Sequence, residues 1–500
     1  MAPGCRGRDY GICLKFTIMD SDKMTRLAEF ISAHGSDDPD RLALQKDRWP
    51  EVDVAAAVST LVSRKKLAAK APLWAKTEGL VLPRTLSAEQ CSGEAAARHK
   101  SALLEAIWNR LQGHSHGDDG ECGHVSRNPR IADLTGGLGV DSLAFSKIAE
   151  AVLYNDMNPE LAEAAEHNFV VLGAENIEVC SYIADSDSLS PESDSGAGVQ
   201  SGVTAGALAR RLMEFRPDVI YLDPARRDGC GKKVFLLEDC SPDILKLKDR
   251  LLEIAPVLMV KLSPMADISM VIDRLGSCCR ELHIVEARGE CKELLAVLLR
   301  NGYLSSENSD IQNNDAQKEC VCSIVNLDGD ALGSPLSFRR SEETRRTGLR
   351  FAEKEDIVPG ALLFEPGKAL MKAGCFNLLG KTLGAAVLGR DTHYYILGED
   401  SAGTGPETES GNMRLPDVVR YGKLFRILNA AVLSGKSMKE FGRRHPEAEV
   451  TARGVKMTSD EVRRRLECRP SERYHIFALH ADNPGHNLLL FCEKYSFSER

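Results

Sequence analysis

The chain lacks any apolar run near the roughly 20 residues needed to span a bilayer. It also lacks a repeat of fixed period, and it has no short-spaced cysteine framework. Each absence excludes something. A membrane-spanning protein and a solenoid are not expected, and the fifteen cysteines, scattered as at Cys180, Cys240 and Cys291, read as reduced thiols and not as disulfide partners. Near Met1 there is no apolar core followed by a small-residue cleavage site, so a cytoplasmic protein is expected. A net positive charge is lacking as well: the formal net charge is −9, which argues against polyanion binding along the whole length.

What is present is an ordinary globular composition, 43% hydrophobic and 27% charged over 500 residues, enough for two to four domains. The charge is uneven. From Gly411 to Arg500 there are 17 Lys and Arg against 11 Asp and Glu, which leaves the first 410 residues near −15. Apolar positions recur at three and four between Met24 and Leu111, so a helical front is expected. Polar, low-complexity stretches at 113–124, 185–206, 305–317 and 399–412 read as surface insertions.

Between them, short apolar runs at 130–134, 151–156, 177–180, 218–223, 257–262, 281–285 and 320–325 alternate with helical patterns. Seven such runs predict an α/β fold with a doubly wound, mainly parallel, Rossmann-like sheet. Ligands in such sheets sit at the carboxyl ends of the strands. The segment Asp133-Leu134-Thr135-Gly136-Gly137-Leu138-Gly139 follows the first run and opens a helix. Glycines there let the backbone turn sharply and approach a ligand, although a tight turn without a ligand reads the same way. Asp156 ends the second run, 23 positions after Asp133, where a carboxylate can accept bonds from ribose hydroxyls.

NAD competes for this pattern. Asp133 would repel a pyrophosphate but can bind the ammonium group of a methionine moiety, which favours S-adenosylmethionine. Asp185, after the third run, can meet an adenine amino group or simply be solvated. The fourth run ends in Tyr221-Leu222-Asp223-Pro224-Ala225-Arg226-Arg227. It puts a carboxylate and a rigid carbonyl at the sheet edge, where a methyl acceptor must sit.

The 221–229 segment resembles motif IV of class I methyltransferases. Ala225 and Arg226 stand where amino-methylating enzymes have a second proline and an aromatic, which argues against simple adenine N6 methylation. The loop Lys261-Leu262-Ser263-Pro264 has no cysteine nucleophile, which argues against uridine C5 chemistry. The segments 90–100, 133–141, 223–227, 261–264 and 289–295, with 363–376, 448–466 and 474–478, together resemble methyltransferases that carry ferredoxin-like and THUMP-like domains. That resemblance implies a helical domain at 1–125, a seven-stranded methyltransferase domain at 126–330, a ferredoxin-like domain at 335–415 and a THUMP-like domain at 416–500.

It also implies a structured RNA substrate, a tRNA or an rRNA. On this reading Asp133, Thr135, Gly136, Gly137, Gly139, Asp156 and Asp185 hold S-adenosylmethionine. Asp223 and the Pro224 carbonyl grip the acceptor with Arg226, and Arg227, Lys261, Ser263, Arg453 and Lys456 touch substrate. The basic residues of the tail can meet phosphates, and each can equally be a solvated helix face. Acting on a small metabolite or a protein, or serving as a cofactor-binding scaffold, is the alternative. His114, His116, Cys122 and His124 have ligand chemistry but match no strong metal spacing, and no metal is expected.

Overall fold

The computed structural model describes residues 21–113, 127–190, 206–226, 237–301, 319–328, 335–345, 349–398, 419–483 and 485–495. They fall into two compact units. The first comprises Met1–Lys232, Leu236–Val260 and Leu298–Asp310, and the second Lys233–Phe235, Lys261–Val297 and Ile311–Arg500.

The first unit opens with six helices: α1 (Ser21–Ala33), α2 (Pro39–Leu44), α3 (Val54–Leu67), α4 (Pro72–Lys76), α5 (Thr85–Gln90) and α6 (Glu94–Gly113). Aspartates start two of them. The Asp38 and Asp53 side chains accept hydrogen bonds from the backbone N–H groups of Arg41 and Ala56, satisfying donors that a helix N-terminus leaves free. The apolar stripes bury Leu27, Ile31, Val54, Ala57 and Leu61 in one cluster, and Leu67, Trp74 and Leu82 in another with Tyr154 and Phe169. Each buried Val, Leu, Ile or Phe among them contributes about 1.5–3 kcal/mol by leaving water.

The alternating segment then builds β1 (Arg130–Asp133), α7 (Val140–Phe145), β2 (Ala151–Asn155), α8 (Pro159–Val171), β3 (Ile177–Cys180), α9 (Ala207–Phe215), β4 (Val219–Leu222), β5 (Ala225–Arg226), β6 (Cys240–Ser241), α10 (Ile244–Ile254) and β7 (Val257–Leu262). The large strands lie parallel in the order β3-β2-β1-β4-β7. Their continuous apolar runs follow from burial on both faces. Because β1 lies between β2 and β4, the chain reverses direction of travel across the sheet there, and the crevice at its carboxyl end is the topological switch point. β5 and β6 form a small antiparallel pair just after Pro224.

The second unit holds α11 (Ile268–Leu275), β8 (Cys279–Ala287), β9 (Glu290–Leu299), β10 (Val321–Asn326), β11 (Leu336–Arg339) and α12 (Arg340–Arg345). β10 runs parallel to β8 and antiparallel to β11. Then follow β12 (Leu362–Pro366), α13 (Lys368–Ala373), α14 (Phe376–Thr382), β13 (Ala386–Val387), β14 (Tyr395–Leu397), β15 (Gly422–Val432), α15 (Gly435–Arg444), β16 (Glu449–Arg453), α16 (Ser459–Leu466), β17 (Tyr474–Ala481) and β18 (His486–Lys494). The last seven strands make one sheet, in the order β13-β14-β12-β15-β18-β17-β16. Strands from the 335–415 and 416–500 segments thus share one ladder, through β12 and β15.

Each of the seven expected runs is a strand. Between Arg130 and Arg339, β5, β6, β9 and β11 are additional, and no helix among the described residues is long and apolar enough to cross a membrane.

Candidate functional site

The glycine turn sits on the switch point, and three residues explain its shape. Gly136 passes so close to the ring of Tyr154 that a Cβ would lie 2.1 Å from it. Gly139 caps α7 at φ +88°, and a Cβ there would meet Phe169 at 2.6 Å. Neither position tolerates a side chain, because both rings are buried. The Tyr154 hydroxyl donates to the Gly137 carbonyl at 2.6 Å, pinning the turn from below.

The acidic residues divide by what they touch. Asp156 accepts from the Gly137 N–H at 2.9 Å and the Asn158 N–H at 2.8 Å, and burial raises its pKa from the ordinary carboxylate value. Two N–H donors leave lone pairs for a ligand's hydroxyls. Asp133, buried at the end of β1, accepts from the Thr135 N–H at 3.1 Å and the Ser142 hydroxyl at 2.6 Å. Burial raises its pKa to about 7; the Ser142 hydrogen bond opposes the shift and the charge of Asp141 adds to it.

Thr135 does not point only at a ligand. Its hydroxyl accepts the Asp223 N–H at 2.6 Å, tying the turn after β1 to the end of β4. Asp223 and Pro224 are therefore held beside the turn, each half-buried. Asp185 takes the Ser188 N–H at 2.9 Å, and so also serves as the cap of a local turn.

Lys261 is the next-to-last residue of β7 and Ser263 follows the strand, the Ser263 hydroxyl accepting the Met265 N–H at 3.2 Å. Both belong to the second unit, as do half-buried Arg453 at the end of β16 and exposed Lys456. Arg227, the side chain of Arg226 and the loop with His114, His116, Cys122 and His124 lie outside the described residues. A cavity of about 710 Å³ in the first unit is lined by Arg127, Arg130, Glu150 and Phe215 at the amino edge of β1, away from the turn.

Sequence reasoning missed what lies under the turn. Lys100 of α6 is fully buried and donates to Asp141 at 2.9 Å and to the Ser92 hydroxyl at 2.7 Å. The second Asp141 oxygen accepts from Ser92 at 2.7 Å and from the Tyr221 hydroxyl at 3.0 Å. Asp141 is the second residue of α7, so this network seats the helical front on the helix that the glycines open. The only signal was that Ser92 and Lys100 fall within the 90–100 segment.

Comparison with known proteins agrees with this architecture. Residues 362–400 match a ferredoxin-like domain family. A solved structure of a candidate methyltransferase from Porphyromonas gingivalis W83 superposes with a TM-score of 0.73 over 95% of this chain and 99% of that one, at 24% identity. The two share a fold: a methyltransferase-type α/β sheet with an α+β C-terminal part. Two further structures align at TM-scores of 0.24 and 0.21, too low to carry an argument. One is a predicted O-methyltransferase from Agrobacterium tumefaciens (15% identity; 36% of this chain, 77% of that one). The other is a candidate RNA methyltransferase from Pyrococcus horikoshii (13% identity; 35% and 66%). No curated protein matches significantly.

Proposed function

We propose that the chain is an S-adenosylmethionine-dependent methyltransferase acting on a base of structured RNA, by direct in-line transfer. The observation that carries the cofactor assignment is the glycine turn. At Gly136 and Gly139 a Cβ has no room, and the turn's Gly137 N–H and the Asp156 carboxylate meet at the carboxyl ends of β1 and β2. When bound, the cofactor supplies a methyl group already activated on a sulfonium.

The protein's own residues then bind and orient. Asp156 would take the ribose hydroxyls through its remaining lone pairs, and ionised Asp133 would hold the ammonium group. Asp185 would meet the adenine. Asp223, fixed through its N–H by Thr135, would grip the acceptor with the Pro224 carbonyl and draw off its proton, while Arg226 and Arg227 steady a neighbouring phosphate or carbonyl. Lys261 and Ser263 would touch the substrate. The RNA part of the reading is supported by the basic tail and by the resemblance of that tail to THUMP-like domains. The charge near −15 outside the tail is the observation that favours a small-molecule acceptor instead.

Calorimetric titration of S-adenosylmethionine and of NAD into the wild type and Asp156→Ala tests the class. Binding of S-adenosylmethionine alone, weakened at least tenfold in the variant, is expected; binding of NAD alone overturns the assignment. Asp223→Ala should abolish turnover with binding retained. Filter binding of total RNA at low and moderate salt separates the acceptors, since a metabolite enzyme shows no salt-dependent retention.

A further inference from the structure

Two segments singled out in the sequence carry none of the residues expected to hold the cofactor: Leu363 to Phe376, and Ala448 to Leu466. Within the second unit they meet at one tyrosine. Tyr394, fully buried just before β14, donates its hydroxyl to Glu365 of β12 at 2.6 Å. The Arg453 guanidinium, from the end of β16, stands 5.8 Å from the centre of the same ring. Next to it His393 lies flat against Phe376, the first residue of α14, with ring centres 3.6 Å apart.

β14 and β16 are far apart in sheet order, so this meeting needs an explanation. The loop between β13 and β14 crosses over β17: the Asp482 N–H donates to the Leu388 carbonyl, and the Thr392 hydroxyl contacts the His480 carbonyl at 3.4 Å. Two glycines permit the approach. A Cβ on Gly389 would lie 2.9 Å from the His480 carbonyl oxygen, and one on Gly454, at φ +70°, 2.8 Å from Thr392. The arginine and the histidine are thus brought together by close backbone packing and not by chance contact of surface side chains.

The cluster is also incomplete in a specific way. Among the described residues no carboxylate lies within ion-pair distance of Arg453, and the His393 imidazole has no hydrogen-bond partner, although both are half-buried. Glu365 is engaged by Tyr394, and the charge of Asp391 acts on the His393 ring. A partly desolvated guanidinium without a carboxylate favours an incoming oxyanion, which its planar fork binds at two points. Burial, and then the charge of Arg453, lowers the His393 pKa against the opposing charge of Asp391, so at neutral pH the ring offers one N–H donor without a second positive charge. Exposed Lys456, three residues along the chain from Arg453, extends the positive charge, whereas exposed Arg390 is paired with Asp482.

We propose that Arg453 and His393 form a phosphate subsite, with the neighbouring aromatic rings as its wall, that takes one nucleotide phosphate of an RNA strand. This rests on the RNA part of the proposed function and gives that part a location.

The test is fluorescence anisotropy of a labelled single-stranded oligonucleotide RNA on the full chain, across a salt series. The proteins are wild type, Arg453→Gln, Arg453→Lys and, as a charge-matched control in the same unit, Lys354→Gln at an exposed position. Arg453→Gln should weaken binding about tenfold and lower the salt slope by roughly 0.7, the loss of one phosphate contact on a single strand. Arg453→Lys should recover only part of the affinity, and Lys354→Gln should change it less than twofold. His393→Gln should lie between. Competition by inorganic phosphate or a nucleoside monophosphate at concentrations similar to the RNA would move the site from a strand to a free nucleotide and overturn the RNA assignment. Equal effects of Arg453→Gln and Lys354→Gln overturn the subsite while leaving the RNA reading intact. No salt-dependent binding by the wild type sinks both. Unchanged S-adenosylmethionine titration in the variants shows that the first unit is undamaged.

Discussion

Two regions of the first unit treat a buried carboxylate in opposite ways. Beneath α7, Asp141 is paired with Lys100 and also takes hydrogen bonds from Ser92 and Tyr221. At the edge of the sheet, eight residues earlier, Asp133 has a hydroxyl and an N–H and, among the described residues, no cation. The first arrangement satisfies a charge permanently; the second leaves a carboxyl poised near neutrality, to be completed by something that arrives. A buried group with a pKa of about 7 in a crevice is what a ligand site needs, whereas the Lys100 pair is what a joint between helices needs.

The sharpest way to break this comparison is to remove the cation. Lys100→Met leaves Asp141 buried without a counter-charge and should destabilise the protein by about 3–5 kcal/mol in urea unfolding. The double variant with Asp141→Asn should recover much of that loss, because both members of the pair are then neutral. A single-variant cost below about 1 kcal/mol would mean that the pair does not seat the helical front.

The next effect concerns pH. The folded Asp133 pKa of about 7 lies above the value of about 3.9 in an unfolded chain, so between these limits the folded state holds a proton that the unfolded state has lost. Its contribution to stability is complete below about pH 4 and is lost as pH rises through about 7. Relative to Asp133→Asn, which cannot titrate, the wild type should lose about 2–3 kcal/mol between pH 5 and pH 8. Affinity for S-adenosylmethionine should move the other way, rising through pH 7 as the carboxylate ionises. A flat difference between the two proteins would put Asp133 in the same class as Asp141.

These regions were unequally legible in the sequence. The glycines, Asp133, Asp156 and Asp223 stand at the ends of short apolar runs, and such runs mark strands directly. β9 was missed because Leu294 to Leu299 is an unbroken apolar stretch, which does not distinguish strand from buried helix. Lys100 was illegible for a different reason. A lysine on a helix is expected at the surface, and its partner lies 41 residues away on an element whose packing no local pattern reports. Thr135 was expected to face a ligand, but its bond to the Asp223 N–H depends on β4 lying beside β1, a neighbour relation that periodicity does not contain. A phosphate contact at Arg453 is an expectation from charge; its meeting with Tyr394, which charge does not predict, rests on the loop over β17.

Between the two regions lies the turn itself. Gly136→Ala would drive a methyl group into the ring of Tyr154, which is buried and anchored through its hydroxyl to Gly137. A cost of about 1–3 kcal/mol is expected, with S-adenosylmethionine binding lost at temperatures where the variant is still folded. Loss of stability with binding intact would separate the turn's packing from its role as a cradle.

The smallest effect probes the joint from its far side. Tyr221 sits on β4 with its ring against Phe145 and its hydroxyl on Asp141 at 3.0 Å, so Tyr221→Phe deletes one donor and no packing. Lys100 and Ser92 remain on the carboxylate, and the cost should be about 1–2 kcal/mol. Because Asp141 faces the helical front and Asp133 faces the crevice, S-adenosylmethionine affinity should change less than twofold, and the pH slope assigned to Asp133 should persist. A change in that slope would show that the charge of Asp141, which already helps raise the Asp133 pKa, couples the two regions more tightly than their separate partners imply.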